Sequence, residues 1–162
     1  MKKIILITGA TAGFGKAIAR KFAENGHDLI ITGRRKVLLD ELTKELITTF
    51  NVEVLPLCFD VRNLKEVEVS IAGLPEKWKK IDVLVNNAGL AAGLSPIHEA
   101  VVDDWERMID TNVKGLLYMT RLVAPLMVAL KQGHIINIGS IAGKEVYPMG
   151  NVYCASKFAV DA

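Results

Sequence analysis

Tyr153 and Lys157 stand four residues apart in Tyr153-Cys154-Ala155-Ser156-Lys157, a short loop downstream of Gly139-Ser140. On a helix, residues at i and i+4 share a face, which sets an ammonium group close to a phenol. An adjacent positive charge favours the phenolate, so Tyr153 can give or take a proton as a general acid or base. A lone Y-x-x-x-K arises often by chance, and its weight here comes from the motifs that precede it.

The first of these is Thr8-Gly9-Ala10-Thr11-Ala12-Gly13-Phe14-Gly15, between the aliphatic run Ile4 to Ile7 and an amphipathic stretch, Phe14 to Glu24. Glycines between a strand and a helix permit a tight turn and let backbone N–H groups approach a pyrophosphate at the positive end of the helix. Gly9, Thr11, Gly13, Phe14 and Gly15 are therefore candidate cofactor contacts. The spacing is Gly-x3-Gly-x-Gly, which is neither the common G-x-G-x-x-G fingerprint nor a triphosphate loop ending in Lys-Ser/Thr. A turn that merely tightens the strand-to-helix link is the competing reading, and it weakens as other motifs accumulate.

About twenty residues past such glycines, an NAD site places a carboxylate on the ribose 2′-hydroxyl. Here the chain reads Thr32-Gly33-Arg34-Arg35. Two guanidinium groups and no carboxylate suit a 2′-phosphate, so Arg34 and Arg35 predict NADP, with at least one of the pair expected to be a solvated loop charge. Asp60-Val61 and Asn86-Asn87-Ala88-Gly89 end two further apolar runs, at the strand edge where open α/β sheets bind ligands. Asp60 reads equally well as the N-cap of a helix starting at Asn63. Asn112, in Asp110-Thr111-Asn112-Val113-Lys114-Gly115, lies inside a helical pattern that disfavours Asn. Functional sites produce such local inconsistencies, although a solvent-facing Asn would also fit.

The elements that position these residues alternate. Strands are predicted at Ile4 to Ile7, Leu29 to Thr32, Val52 to Phe59, Val83 to Val85 and His134 to Ile138, with helices at Phe14 to Glu24, Val37 to Phe50, Leu64 to Ala72, about Asp104 to Lys131, and from Asn151 onward. Short strands alternating with helices imply an α/β fold, a Rossmann-type doubly wound parallel sheet with right-handed crossovers. Such a sheet usually continues beyond a fifth strand, so residues 1–162 are expected to be one nucleotide-binding domain that stops within the helix carrying Tyr153 and Lys157.

Composition agrees with a single folded core: 162 residues, 51% hydrophobic and 23% charged. A net charge of +2 gives no general attraction to nucleic acid or anionic membrane. No run approaches the about 18 consecutive apolar residues of a membrane span, and Thr8-Gly9 interrupts the N-terminal run without a cleavage site. A cytoplasmic protein is expected. Cys58 and Cys154 are too few for a disulfide framework, and His27, His98 and His134 are isolated, so no metal site is expected. Trp78 and Trp105 are expected to pack.

Taken together, the glycine turn, Asn-Asn-Ala-Gly, Ser140 and Tyr-x-x-x-Lys resemble the short-chain dehydrogenase/reductase family over essentially the whole chain. The resemblance implies that Ser140 hydrogen-bonds the substrate oxygen, that Tyr153 transfers its proton and also contacts the cofactor, and that Lys157 assists the tyrosine and holds the nicotinamide ribose. It further implies a water held by Asn112, adenine contact by Asp60 with Val61 beside it, and a cofactor border formed by Asn87, Ala88 and Gly89. Asn86 to Leu94, Ile135 to Ser140 and Gly150 to Tyr153 look most like the branch that oxidises small 3-hydroxy acids, including serine and allo-threonine. NADP as cofactor, a small alcohol or carbonyl as substrate, and a homo-oligomer, tetrameric where the chain is complete, follow from the same resemblance. The alternative is a non-catalytic NADP-binding fragment or an incomplete piece of such an enzyme, against which the intact Ser140, Tyr153 and Lys157 argue. Lys157 lies five residues from the last residue, Ala162, where helix ends commonly fray, and weak or no activity of the 162-residue chain alone is the corresponding expectation.

Overall fold

The computed structural model describes residues 2–162. Five strands, β1 (Ile4–Ile7), β2 (Asp28–Gly33), β3 (Val54–Cys58), β4 (Val83–Asn86) and β5 (His134–Asn137), form one sheet in the order β3-β2-β1-β4-β5. All four pairings are parallel, with Leu6 opposite Ile30 on one side and Leu84 on the other. Six helices surround it: α1 (Gly13–Glu24), α2 (Lys36–Phe50), α3 (Leu64–Ala72), α4 (Val102–Met108), α5 (Leu116–Leu130) and α6 (Asn151–Asp161).

Side chains alternate across a strand, and β1 shows the consequence. Ile5 and Ile7 enter a core with Ala19 and Ala23 of α1 and Leu39, Leu42 and Leu46 of α2. Ile4 and Leu6 enter the opposite core, with Val67 and Ile71 of α3 and Met119, Val123 and Met127 of α5. A strand covered on both faces needs apolar residues at every position, which is why β1 reads as an uninterrupted aliphatic run. Trp78 packs into the second core, as expected. β3 contains Pro56 and lies at the sheet edge, where a missing ladder donor is tolerated.

Element bounds shift by a residue or two from those predicted, the usual uncertainty of helix and strand ends. The long helical stretch differs in kind. α4 and α5 are joined by a π-helical segment, Ile109–Gly115, so the local inconsistency at Asn112 is an inserted wide turn. Val102–Leu130 as a whole is long and apolar enough to cross a membrane by length and composition. Asp110, Lys114 and Arg121 interrupt it, and Met119, Val123 and Met127 bury one stripe of it against the sheet.

The strand order reverses between β1 and β4. At such a switch point the loops leaving neighbouring strands diverge and open a crevice at their carboxyl ends. The segments following all five strands converge there.

Candidate functional site

The loop after β1 is held from β4. Thr8 Oγ1 accepts hydrogen bonds from the backbone N–H of Asn87 (3.0 Å) and Ala88 (2.9 Å), and Asn87 Nδ2 donates to the carbonyls of Thr8 (2.8 Å) and Gly9 (3.2 Å). Gly9 has φ +66°, and a Cβ there would stand 2.9 Å from Ala88 Cα. The left-handed conformation and the crowding both require glycine. Ala12 is the N-cap of α1 and offers no side-chain hydrogen bond, and the first turn carries no acidic residue. The free N–H groups and positive end of that helix are thus open to an anion.

Gly15 serves a different purpose. A Cβ on it would meet Gly9 O at 2.3 Å and Asn87 Nδ2 at 2.4 Å, so this residue sets how closely α1 approaches the loop. Gly15→Ala should cost about 1–3 kcal/mol of stability, the usual range for overpacking. It should also weaken NADPH binding by displacing the loop. A thermal melt and a fluorescence titration check this, and an unchanged melting temperature would contradict the packing role.

At the other end of the loop, Arg35 Nη2 donates to Thr11 Oγ1 at 2.8 Å and Arg34 Nη1 to Asp60 Oδ2 at 3.4 Å. Both guanidinium groups are exposed, both are held by a protein partner, and both face the crevice, so neither is merely a solvated loop charge. Asp60 does not cap α3. The N-cap is Asn63, whose Oδ1 accepts from Lys65 N (3.1 Å) and Glu66 N (3.3 Å), because the chain needs two residues after Asp60 to turn into the helix. Asp60 instead accepts from Arg62: its backbone N–H at 3.0 Å, Nε at 2.9 Å and Nη2 at 2.7 Å. Partial burial works to raise the Asp60 pKa, but the Arg62 hydrogen bonds and the charges of Arg62 and Arg34 outweigh it and hold the carboxyl below its ordinary value.

The candidate reacting groups lie after β5. Tyr153 Oη donates to Ser140 Oγ at 3.4 Å, and Ser140 Oγ also accepts from Ala142 N at 3.2 Å. Lys157 is 8% exposed and donates from Nζ to Ile138 O at 2.9 Å. Burial lowers its pKa. α6 runs to Asp161, and Lys144 pairs with Asp161 at 2.7 Å.

Asn112 is 2% exposed and hydrogen-bonded through both ends of its amide. Its Oδ1 accepts from Leu90 N (2.8 Å), and its Nδ2 donates to Leu90 O (2.9 Å) and Ser156 Oγ (2.9 Å). Ser156 in turn donates to the carbonyl of Tyr153 at 2.8 Å. The π turn is thereby joined to the helix of Tyr153 and to the loop after β4, which excludes a solvent-facing Asn112.

A cavity of about 750 Å³ connects these parts. It is lined by Gly9, Thr11, Gly13, Phe14, Arg34, Arg35, Asp60, Val61, Asn87, Ala88, Gly89, Ser140, Tyr153 and Lys157. Of the residues singled out in the sequence, Gly15 and Asn112 do not line it and act from behind. Sequence reading missed Thr8, Leu90, Thr111, Ile138 and Ser156. A signal existed only for Ser156, inside the Tyr-x-x-x-Lys motif, since Leu90 and Ile138 act through backbone atoms and Thr8 through a contact distant in sequence. Thr32 and Thr111 also line the cavity, and their hydroxyls are buried without a hydrogen-bond partner among the described residues. An open helix N-terminus, two arginines and two unsatisfied hydroxyls in one crevice fit a phosphorylated dinucleotide, with the Ser140, Tyr153 and Lys157 groups at its far end able to polarise a carbonyl and move a proton.

Known proteins are similar to this chain. The chain is 59% identical over 154 residues to an NADP-dependent 3-hydroxy acid dehydrogenase of Salmonella typhi, covering 95% of this chain and 60% of that protein. It is 48% identical over 158 residues to sulfoacetaldehyde reductase 2 of Chromohalobacter salexigens, covering 97% of this chain and 62% of that one. Its structure superposes with a TM-score of 0.90 on the closed form of a serine dehydrogenase complexed with NADP+, at 56% identity, covering 97% of this chain and 62% of the other. The chain therefore spans about 60% of the length of the curated relatives it matches. The short chain dehydrogenase family model matches residues 3–162, and with the glycine turn, the Asn87 tether and the Ser140, Tyr153 and Lys157 group in one crevice, this chain belongs to the short-chain dehydrogenase family.

Proposed function

We propose that this protein is an NADP-dependent oxidoreductase that interconverts a small alcohol and its carbonyl compound, the substrate being a 3-hydroxy acid such as serine, allo-threonine or 3-hydroxypropionate. The observation that carries the reading is a single cavity with Arg34 and Arg35 at one end and Ser140, Tyr153 and buried Lys157 at the other. The substrate class rests on relatives named for 3-hydroxy acid and serine oxidation.

When bound, NADP supplies the hydride acceptor and NADPH the donor. The residues of the chain hold and orient. The N–H groups opening α1 carry the pyrophosphate, Arg34 and Arg35 take the 2′-phosphate, and Asp60 and Val61 border the adenine. Ser140 hydrogen-bonds the substrate oxygen. Tyr153 accepts the alcohol proton in oxidation and returns it in reduction. Lys157 supports the phenolate through its charge and holds the nicotinamide ribose. Asn112 holds a water that continues the proton path.

The protein is proposed to be cytoplasmic and homo-oligomeric. Exposed Leu117 and Val128 on α5 and Phe158 on α6 supply apolar surface for self-association. Titration with NADPH followed by nicotinamide fluorescence tests binding, and NADP reduction with serine or 3-hydroxypropionate tests turnover. Binding without turnover would replace the enzyme reading with that of an NADP-binding fragment.

A further inference from the structure

Asp60 presents a problem of charge. Its carboxylate lines the cavity with Oδ2 3.4 Å from Arg34 Nη1, and Arg34 is one of the two groups assigned to the 2′-phosphate. A phosphate monoester carries about −1.5 to −2 charges at neutral pH. An unpaired carboxylate in that place repels the ligand and competes with it for Arg34. Such a residue is unexpected in a site built for an extra phosphate.

Arg62 answers it. Its Nε and Nη2 both reach Asp60 Oδ2, at 2.9 and 2.7 Å, while its backbone N–H reaches Oδ1 at 3.0 Å. Both carboxylate oxygens are thereby engaged by Arg62, which does not itself line the cavity. The Asp60 hydrogen bond raises the Arg62 pKa against partial burial, with the charges of Asp60 and Asp110 adding to it. The guanidinium therefore stays charged throughout the working range. Lysine would keep the charge without this planar fork.

We propose that Arg62 is a specificity-determining positioning residue: its shorter hydrogen bonds hold the Asp60 carboxylate and leave Arg34 only a long 3.4 Å contact with it, so that Arg34 can turn to the 2′-phosphate and set the preference for a 2′-phosphorylated dinucleotide. The inference rests on the NADP reading above. Arg34, Arg35, Asp60 and Arg62 together carry two net positive charges, and without Arg62 they carry one. At a partly solvated site, one unit of charge changes the affinity of a doubly charged ligand by about tenfold. The pyrophosphate, common to both cofactors, feels the change equally in each, so its share cancels in their ratio.

The test is the ratio of the NADH and NADPH dissociation constants, measured by nicotinamide fluorescence on the intact protein. Arg62→Met should weaken NADPH binding about tenfold and NADH binding little. Arg62→Lys should retain most of the preference, and adding Asp60→Asn to Arg62→Met should restore it. Asp60 contact with adenine is common to both ligands and cancels in the ratio. If Arg62 only shapes the turn, both ligands weaken together and Asp60→Asn restores nothing, which overturns the proposal. Should Arg62→Met fail to fold, Arg62→Gln keeps a donor for the turn and is read the same way. A wild-type protein that binds NADH as tightly as NADPH overturns the NADP reading itself, whereas a preference that survives Arg62→Met overturns only the role of Arg62.

Discussion

Tyr153→Phe is expected to lower kcat by about 10²–10⁴-fold, the range for removing a positioned general acid or base, while leaving NADPH affinity nearly unchanged. The substitution keeps the ring and removes only Oη, whose protein partner is Ser140 Oγ at the long distance of 3.4 Å. That hydrogen bond is too long to contribute much stability, so the melting temperature should move little. The loss should appear in kcat because the phenol acts on the proton that moves in the transition state. Ser140→Ala should cost turnover as well, but the double variant should lose less than the two effects combined, as expected of groups acting as a unit. Retained turnover in Tyr153→Phe would remove this tyrosine from the chemistry.

Lys157→Met has the second large effect, and its interest lies in the contrast between activity and stability. Turnover should fall by about 10²-fold or more as the charge supporting the phenolate is lost. Stability should change far less. Lys157 is buried and its pKa is lowered from the usual 10.5 by desolvation alone, so its charged form costs the fold at neutral pH. Methionine removes that cost but leaves the carbonyl of Ile138 without its 2.9 Å donor, a loss of about 1–3 kcal/mol. The two terms oppose each other.

The pH dependence separates them. Between the lowered folded value and 10.5, the unfolded chain keeps the proton that the folded protein has released. The unfolded state then binds more protons, and stability rises with pH. The penalty is fully present below the folded pKa and is relieved as pH rises through it. Urea denaturation of wild type and Lys157→Met at neutral and at alkaline pH should show the wild type gaining on the variant as pH rises. A constant difference would mean that Lys157 has an ordinary pKa.

How much of this was legible depended on whether a function is local in sequence. The strand β1, the glycine turn and α1 are consecutive, so hydrophobic pattern and glycine spacing suffice to place them. Arg34 and Arg35 were legible by the same logic, from their offset past the glycines. Asp60 was ambiguous because an Asx acceptor near a helix start serves either as a cap or as a partner for a nearby arginine, and only coordinates show Asn63 taking the cap and Arg62 taking the carboxylate. Asn112 was visible as a misfit, but its π turn and its three hydrogen bonds were not. Two of those bonds reach the backbone of Leu90, and backbone atoms carry no sequence signature.

The length and the alternation of apolar runs determined a parallel, doubly wound sheet, since only helices on both faces can bury continuous aliphatic strands. The motifs determined which residues would lie at its carboxyl edge. Tertiary structure alone decided that Thr8 and Asn87 hold the glycine loop, that Ser156 joins Asn112 to Tyr153, and that Arg62 attends Asp60. For the first two the physical reason is that β1, β4 and α6 bring groups distant in sequence within about 3 Å of one another; Arg62 is only two residues from Asp60, and there the fold decides which way the turn before α3 aims its guanidinium.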